Sequence, residues 1–387
     1  MVKPASRVEK IPPYLFARID KKKEEARLKG INIIDLSIGD PDIPTPANII
    51  QKMQEATEDS KNHRYPSYEG MLSFRKTVAD WYLRRFGVGL NPANEVVTLI
   101  GSKEGIAHMP LAYVESGDVV LVPSPGYPVY KISTLLCGGT PYIMPLREEN
   151  GYLPRFEDIP EEVLQKAKIL FLNYPNNPTG ACADDMFYKK ALDVAKEHDI
   201  LLCHDAAYSE IAYEGYMPKS ILQFDTEKKY SVEFHSLSKT YCMTGWRIGF
   251  VVGNADAIYN LGTLKTNIDS GVFQAIQYAG IEAITGDQSS LDDLKKRFQQ
   301  RRDLVVDSLL SIGIKVARPR ATFYIWARVP KGYTSESFCE KLIEKTGVVV
   351  TPGNGFGDEG EGYFRISITN NEKNIREAIQ RLKTLKL

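Results

Sequence analysis

The sequence is short of what several protein classes require. Its five cysteines, Cys137, Cys182, Cys203, Cys242 and Cys339, are scattered, odd in number and form no C-x-x-C pair. That pattern argues against a disulfide framework and fits free thiols in a reducing compartment. Neither sign of charge is in excess, with 49 basic and 49 acidic residues in 387. A nucleic-acid binder or a polybasic membrane protein would carry a surplus of Lys and Arg, so neither is expected. No apolar run approaches the ~18 residues of a membrane span. The start, Met1-Val2-Lys3-Pro4-Ala5-Ser6-Arg7, leads into no apolar signal core. Repeats and low-complexity tracts are missing too. A cytoplasmic globular protein is the expectation.

What is present is a chain 43% hydrophobic and 25% charged, too long for one ordinary core. Residues 13–29 read as a helix ended by Gly30, and the apolar run 33–36 opens into the turn Gly39-Asp40-Pro41-Asp42. Apolar runs of strand length follow at 95–100, 119–122, 168–173, 200–204, 232–235 and 248–252, with helical stretches such as 186–198 between them. Short continuous apolar strands alternating with helices predict an α/β domain with a mostly parallel sheet covered on both faces. One helical stretch is expected from 275 to about 310, then strands at 324–327, 348–350 and 364–368 and a last helix. The reading is a large domain over 46–275 and a smaller α+β domain from 1–45 with 276–387, sharing a long helix rather than a flexible hinge.

In open α/β folds ligands sit beyond the carboxyl ends of the strands, so the residues following each strand carry the functional reading. The first strand is followed by Gly101-Ser102-Lys103-Glu104-Gly105 and a helix start, whose N–H groups suit an anion. Next comes Asn173-Tyr174-Pro175-Asn176-Asn177-Pro178-Thr179-Gly180, a rigid turn that presents the Asn177 amide. Asp205, then Ala207 and Tyr208, follow the strand at 200–204. An acid there is costly to bury unless it meets a cation, which a protonated ring nitrogen would supply. The strand at 232–235 leads into Ser236-Leu237-Ser238-Lys239-Thr240, with Arg247 eight residues beyond Lys239. Hydroxyls plus a guanidinium suit a phosphate, and a lysine beside them is equipped for imine chemistry.

In this order, and with Arg365 in Tyr363-Phe364-Arg365-Ile366-Ser367, these residues resemble the fold-type-I class I/II aminotransferases over nearly the whole chain. The resemblance implies the aspartate aminotransferase-like fold, with a seven-stranded-type sheet, and pyridoxal 5'-phosphate as cofactor. It implies that Lys239 holds the cofactor as a Schiff base and then moves the proton between Cα and C4′. It gives Asp205 the task of keeping the ring nitrogen protonated, and Tyr208 and Asn177 that of bonding the ring's phenolic oxygen. Tyr127 would stack on the ring, with Ala207 on the other face. Ser102, Lys103, Ser236, Ser238 and Arg247 would hold the phosphate, and Arg365, with Gly39 close by, the substrate carboxylate. Tyr65 is the position that reaches the phosphate of the other subunit, which implies a homodimer with shared active sites.

Within the family, Pro13-Tyr14-Leu15-Phe16, Gly39-Asp40-Pro41, Lys103 and Asp269-Ser270-Gly271 resemble the LL-diaminopimelate aminotransferases. That implies LL-diaminopimelate and 2-oxoglutarate passing to tetrahydrodipicolinate and glutamate, a step of lysine biosynthesis, with Tyr14 and Lys103 at the substrate's far end. A glutamate stands three places after the Tyr65 position in those enzymes; here Tyr68 stands there and Glu69 follows. Alternatives are an aspartate, alanine or aromatic aminotransferase, which would share every cofactor residue, and a lyase using the same first steps. A ligand-sensing regulator on this fold would need an added DNA-binding domain, for which the residues before Tyr14 leave no room. A nicotinamide dehydrogenase would need Gly-x-Gly-x-x-Gly after its first strand, and none is there.

Overall fold

The computed structural model describes residues 2–11 and 15–385. After a short strand β1 (Ile34–Asp35), seven strands build the main sheet: β2 (Val96–Leu99), β3 (Val119–Ser124), β4 (Thr140–Pro145), β5 (Ala167–Asn173), β6 (Leu201–Asp205), β7 (Ser231–Ser236) and β8 (Gly249–Gly253). Their order is β2-β8-β7-β6-β5-β3-β4. Only β8 runs against the others, antiparallel to both β2 and β7. Most residues of the inner strands are buried because both faces of the sheet are covered. Ile169 and Phe171 enter one core cluster, while Leu170 and Leu172 enter the other.

The sequence reading missed β4. Among the described residues it pairs only with β3; it is partly exposed and contains Pro141 and Pro145. Proline is tolerated at a sheet edge, where no ladder bond is lost, but in a sequence it reads as a turn.

The second structural region draws on both ends of the chain. β9 (Tyr324–Arg328), β11 (Thr351–Pro352) and β12 (Tyr363–Ser367) form an antiparallel sheet in the order β11-β12-β9. β10 (Val348–Val349) instead pairs in parallel with β1, Ile34 opposite Val348. The strand expected over 348–350 is therefore two strands with different partners.

The single helix expected over 275–310 is also two, Gln274–Thr285 and Ser289–Ser311. At the break, Gln288 Nε2 donates to the carbonyls of Ala283 at 3.0 Å and Gly286 at 2.9 Å. Asp287 accepts from the Ser289 amide at 3.0 Å. Side chains thus satisfy backbone groups on both sides of the interruption. The first helix packs on Ala47–Glu58 and Leu72–Phe86, the second on Glu372–Lys383. Among the described residues no helix is long and apolar enough to cross a membrane.

Candidate active site

The carboxyl ends of β5, β6 and β7 lie side by side and open on a cavity of about 390 Å³. Asp205 closes β6 and is buried at the cavity wall. Burial raises its pKa, while the Tyr130 hydroxyl, donating to Oδ2 at 2.7 Å, and the Ala207 amide, donating to Oδ1 at 3.3 Å, work the other way. Tyr208 is buried three residues on, and its hydroxyl donates to that of Tyr324 at 3.2 Å. Burial and the neighbouring Tyr324 push its pKa well up, so it stays a neutral donor.

β7 ends at Ser236 and gives way to one helical turn, Leu237–Thr240, which carries Lys239. Lys239 Nζ donates to the Gly39 carbonyl at 2.8 Å, from a segment 200 residues earlier. Ser236, Ser238 and Arg247 line the same cavity. Arg247 sits at φ +55° and donates to the carbonyls of Thr244 at 2.9 Å and Ile100 at 3.3 Å. Ser102 and Lys103 open the helix Ser102–Tyr113 at the cavity rim. Gly101 before them has φ +75°, and a Cβ there would lie 2.3 Å from an Arg247 guanidinium nitrogen. Glycine thus lets the arginine approach the helix start.

On the other side, the turn after β5 is held by the Asn173 side chain, which accepts from the Asn177 amide at 2.8 Å. Arg365, buried on β12, donates to Asn177 Oδ1 and to the Ser37 carbonyl, each at 2.7 Å. Its guanidinium carbon lies 4.1 Å from the ring centroid of Tyr324 and 4.5 Å from that of Phe356. Tyr127 and Ala207 line the cavity as well, with Lys103 Nζ 5.8 Å from the Tyr127 ring centroid.

One cavity therefore brings together Gly39, Ser102, Lys103, Tyr127, Asn177, Asp205 and Tyr208 with Ser236, Ser238, Lys239, Arg247 and Arg365. Tyr65 is not among its lining residues; its side chain is 85% exposed. Tyr14 lies outside the described residues. Tyr68 is exposed, and Glu69 pairs with Arg75 at 3.5 Å. The sequence reading missed Tyr130, Tyr324 and Phe356. Tyr130 stands three places after Tyr127, and no local pattern marks it as the phenol that reaches Asp205.

Residues 31–382 match the family described as aminotransferase class I and II. Two curated relatives are each called LL-diaminopimelate aminotransferase. The one from Moorella thermoacetica is 55% identical over 379 residues, 98% of this chain and 97% of its own. The one from Aquifex aeolicus is 52% identical over 383 residues, 99% of each. Among solved structures, apo-BacF from Bacillus subtilis aligns with a TM-score of 0.96 at 39% identity, over 100% of this chain and 99% of that one. A single mutant of Thermus thermophilus aspartate aminotransferase aligns with a TM-score of 0.92 at 27% identity, over 99% of each. The chain belongs to the class I and II aminotransferases.

Proposed function

We propose that this aminotransferase passes the amino group of LL-diaminopimelate to 2-oxoglutarate, giving tetrahydrodipicolinate and glutamate, with pyridoxal phosphate held at Lys239. The observation that carries the reading is the convergence of an amine, a buried carboxylate, a buried guanidinium and a hydroxyl-lined helix start on one cavity. The substrate follows the names of the relatives that are 52–55% identical over nearly the full chain.

The residues fit the cofactor. Ser238 Oγ is buried without a hydrogen-bond partner among the described residues, in the cavity that Ser236 and Arg247 also line, where phosphate oxygens would satisfy it. Asp205 is a buried carboxylate whose charge burial disfavours, and a protonated ring nitrogen would restore it. When bound, pyridoxal phosphate supplies an aldehyde that condenses with amines and a ring that stabilises the electron pair left when Cα loses its proton.

The chain's own groups do the rest. Lys239 Nζ would hold the cofactor at its aldehyde, and as an amine it would take up and return the proton that leaves the substrate Cα. Asp205 holds the proton on the ring nitrogen. Tyr208 and Asn177 would hold the ring's phenolic oxygen, and Tyr127 and Ala207 would line the space for the ring. Arg365 clamps the α-carboxylate, and Lys103 offers a cation to the far carboxylate.

The site belongs to a cytoplasmic homodimer, in which Tyr65 reaches the phosphate bound by the other subunit. The large domain runs from residue 46. It ends near 275 in this reading, and the packing of the helix Gln274–Thr285 on its helices supports counting that helix with it.

Purified protein is expected to be yellow and to bleach when an amino donor is added without keto acid. Lys239→Ala should abolish turnover; full turnover by that variant would sink the central assignment. The departure at Tyr68 favours one second reading, an aspartate, alanine or aromatic aminotransferase. Comparing LL-diaminopimelate, aspartate, alanine and phenylalanine as donors at equal concentration separates the two. No turnover of the first with good turnover of another would leave the family and remove the substrate.

A further inference from the structure

Tyr324 opens β9, is buried, and lines the cavity. Three neighbours meet on it. The Arg365 guanidinium lies over its ring, 4.1 Å from the centroid. Its hydroxyl accepts the hydroxyl proton of Tyr208 at 3.2 Å. That hydroxyl also occupies the space a side chain at position 39 would need, 1.9 Å from where a Cβ on Gly39 would lie. The Gly39 carbonyl in turn accepts from Lys239 Nζ at 2.8 Å. One phenol thus touches the guanidinium, the second phenol and the segment that holds the amine.

We propose that Tyr324 is a positioning residue that carries the charge state of Arg365 to Tyr208, so that carboxylate binding at the arginine weakens the hydrogen bond Tyr208 gives to the cofactor. The proposal rests on the cofactor and carboxylate roles assigned above. Tyr208 has one hydroxyl proton and two claimants for it, the Tyr324 oxygen and the cofactor's phenolic oxygen. A cation over the Tyr324 ring draws electron density from it and makes its oxygen a poorer acceptor. A carboxylate paired with Arg365 offsets that cation. The Tyr324 oxygen then accepts more strongly and draws the Tyr208 proton from the cofactor.

Asn177 offers a parallel route, since its Oδ1 accepts from Arg365 at 2.7 Å. The two routes separate in Tyr324→Phe, which keeps the ring under the guanidinium and removes only the oxygen. The ionisable groups that act on Tyr208 are Tyr324, Asp205 and Arg365, and the substitution leaves the last two in place.

The test titrates the visible absorbance of the bound cofactor with pH in wild type, Tyr324→Phe, Tyr208→Phe and the double variant. Each is measured with and without pimelate, the diacid that matches diaminopimelate in length and lacks its amines. In wild type, pimelate should move the transition to higher pH. Tyr324→Phe should move the pimelate-free transition about half a unit lower, because the Tyr208 proton then goes undivided to the cofactor oxygen. It should also shrink the pimelate shift. In the Tyr208→Phe background, Tyr324→Phe should change neither quantity. An unmoved transition and an undiminished pimelate shift in Tyr324→Phe would overturn the proposal. So would a full effect in the Tyr208→Phe background, which would mark general repacking. A wild type without any pH-dependent visible band would overturn the cofactor assignment along with it, which tells the two failures apart.

Discussion

At the scale of single residues, the proposed chemistry depends on keeping a carboxylate charged where burial discourages it. Asp205 is buried, and the Tyr130 phenol is the side-chain donor on its Oδ2. Tyr130 is itself fully enclosed and stacks on Phe171, ring centroids 4.9 Å apart. Burial, then the charge of Asp205, pushes its pKa well up, so the phenol keeps its proton and serves only as a donor to the acid. Tyr130→Phe removes that donor and little volume. A hydrogen bond to a charged acceptor contributes about 1.5 kcal/mol, so the variant should hold pyridoxal phosphate about tenfold more weakly. Titrating the apoprotein with cofactor by absorbance or fluorescence checks this, and unchanged affinity would remove Tyr130 from the site. Asn177, Asp205, Lys239 and Arg247 were legible as cavity residues because each stands at a strand end, in a turn or beside hydroxyls. Tyr130, Tyr324 and Phe356 were not. Their places depend on how separate segments approach, and an aromatic within an apolar pattern reads first as core.

At the scale of elements, the strands that carry the site are fastened together on the face turned away from it. His204 on β6 stands opposite Glu233 on β7, and alternation places both on the face away from Asp205 and Ser236. Glu233 is fully buried and is bonded by His204 at 2.8 Å, His235 at 2.9 Å, the Tyr82 hydroxyl at 2.5 Å and the Ile221 amide at 2.8 Å. Burial alone would raise its pKa, but the hydrogen bonds and charges of His204 and His235 outweigh it and hold the carboxyl well below its ordinary 4.5. A folded-state pKa below the unfolded one adds stability that is complete above about pH 5 and drains away as pH falls toward the folded value. Glu233→Gln should therefore cost about 2–4 kcal/mol at pH 7, and its stability should fall less steeply than the wild type's below pH 5. Urea unfolding at pH 7, 5 and 4 measures both; equal losses at every pH would mean the charge is not the cause. The run at 232–235 was legible as a buried strand despite Glu233 and His235, because Val232 and Phe234 alternate with them. β4 escaped because Pro141 and Pro145 read as turn residues. The helix break at 286–288 escaped because apolar periodicity resumes on its far side and the interruption is made by the side chains of Asp287 and Gln288.

At the scale of the whole molecule, the residue left outside the cavity is as informative as those within. Tyr65 is strongly exposed, and the segment around it adjoins the loop that precedes Gln274–Thr285. A Cβ on Gly271 would lie 3.0 Å from the Ser67 carbonyl oxygen, and Gln274 Nε2 reaches the Arg64 carbonyl at 3.5 Å. Tyr68, Leu72, Ile268 and Phe273 are exposed on the same two segments, an apolar grouping of the kind an interface covers. In the proposed homodimer each site takes Lys239 from one subunit and Tyr65 from the other. Two defective subunits should then repair each other. In a hybrid of Lys239→Ala with Tyr65→Ala, one site has neither group, but the other combines an intact Lys239 with an intact Tyr65. If subunits mix at random, half the dimers are hybrids and half the sites within them are whole, so activity should recover to about a quarter of wild type. The measurement is turnover after unfolding and refolding the two variants together, with differently tagged chains to count the hybrids. Recovery in proportion to the hybrid fraction supports shared sites. Hybrids that form and remain as inactive as their parents would confine each active site to a single chain.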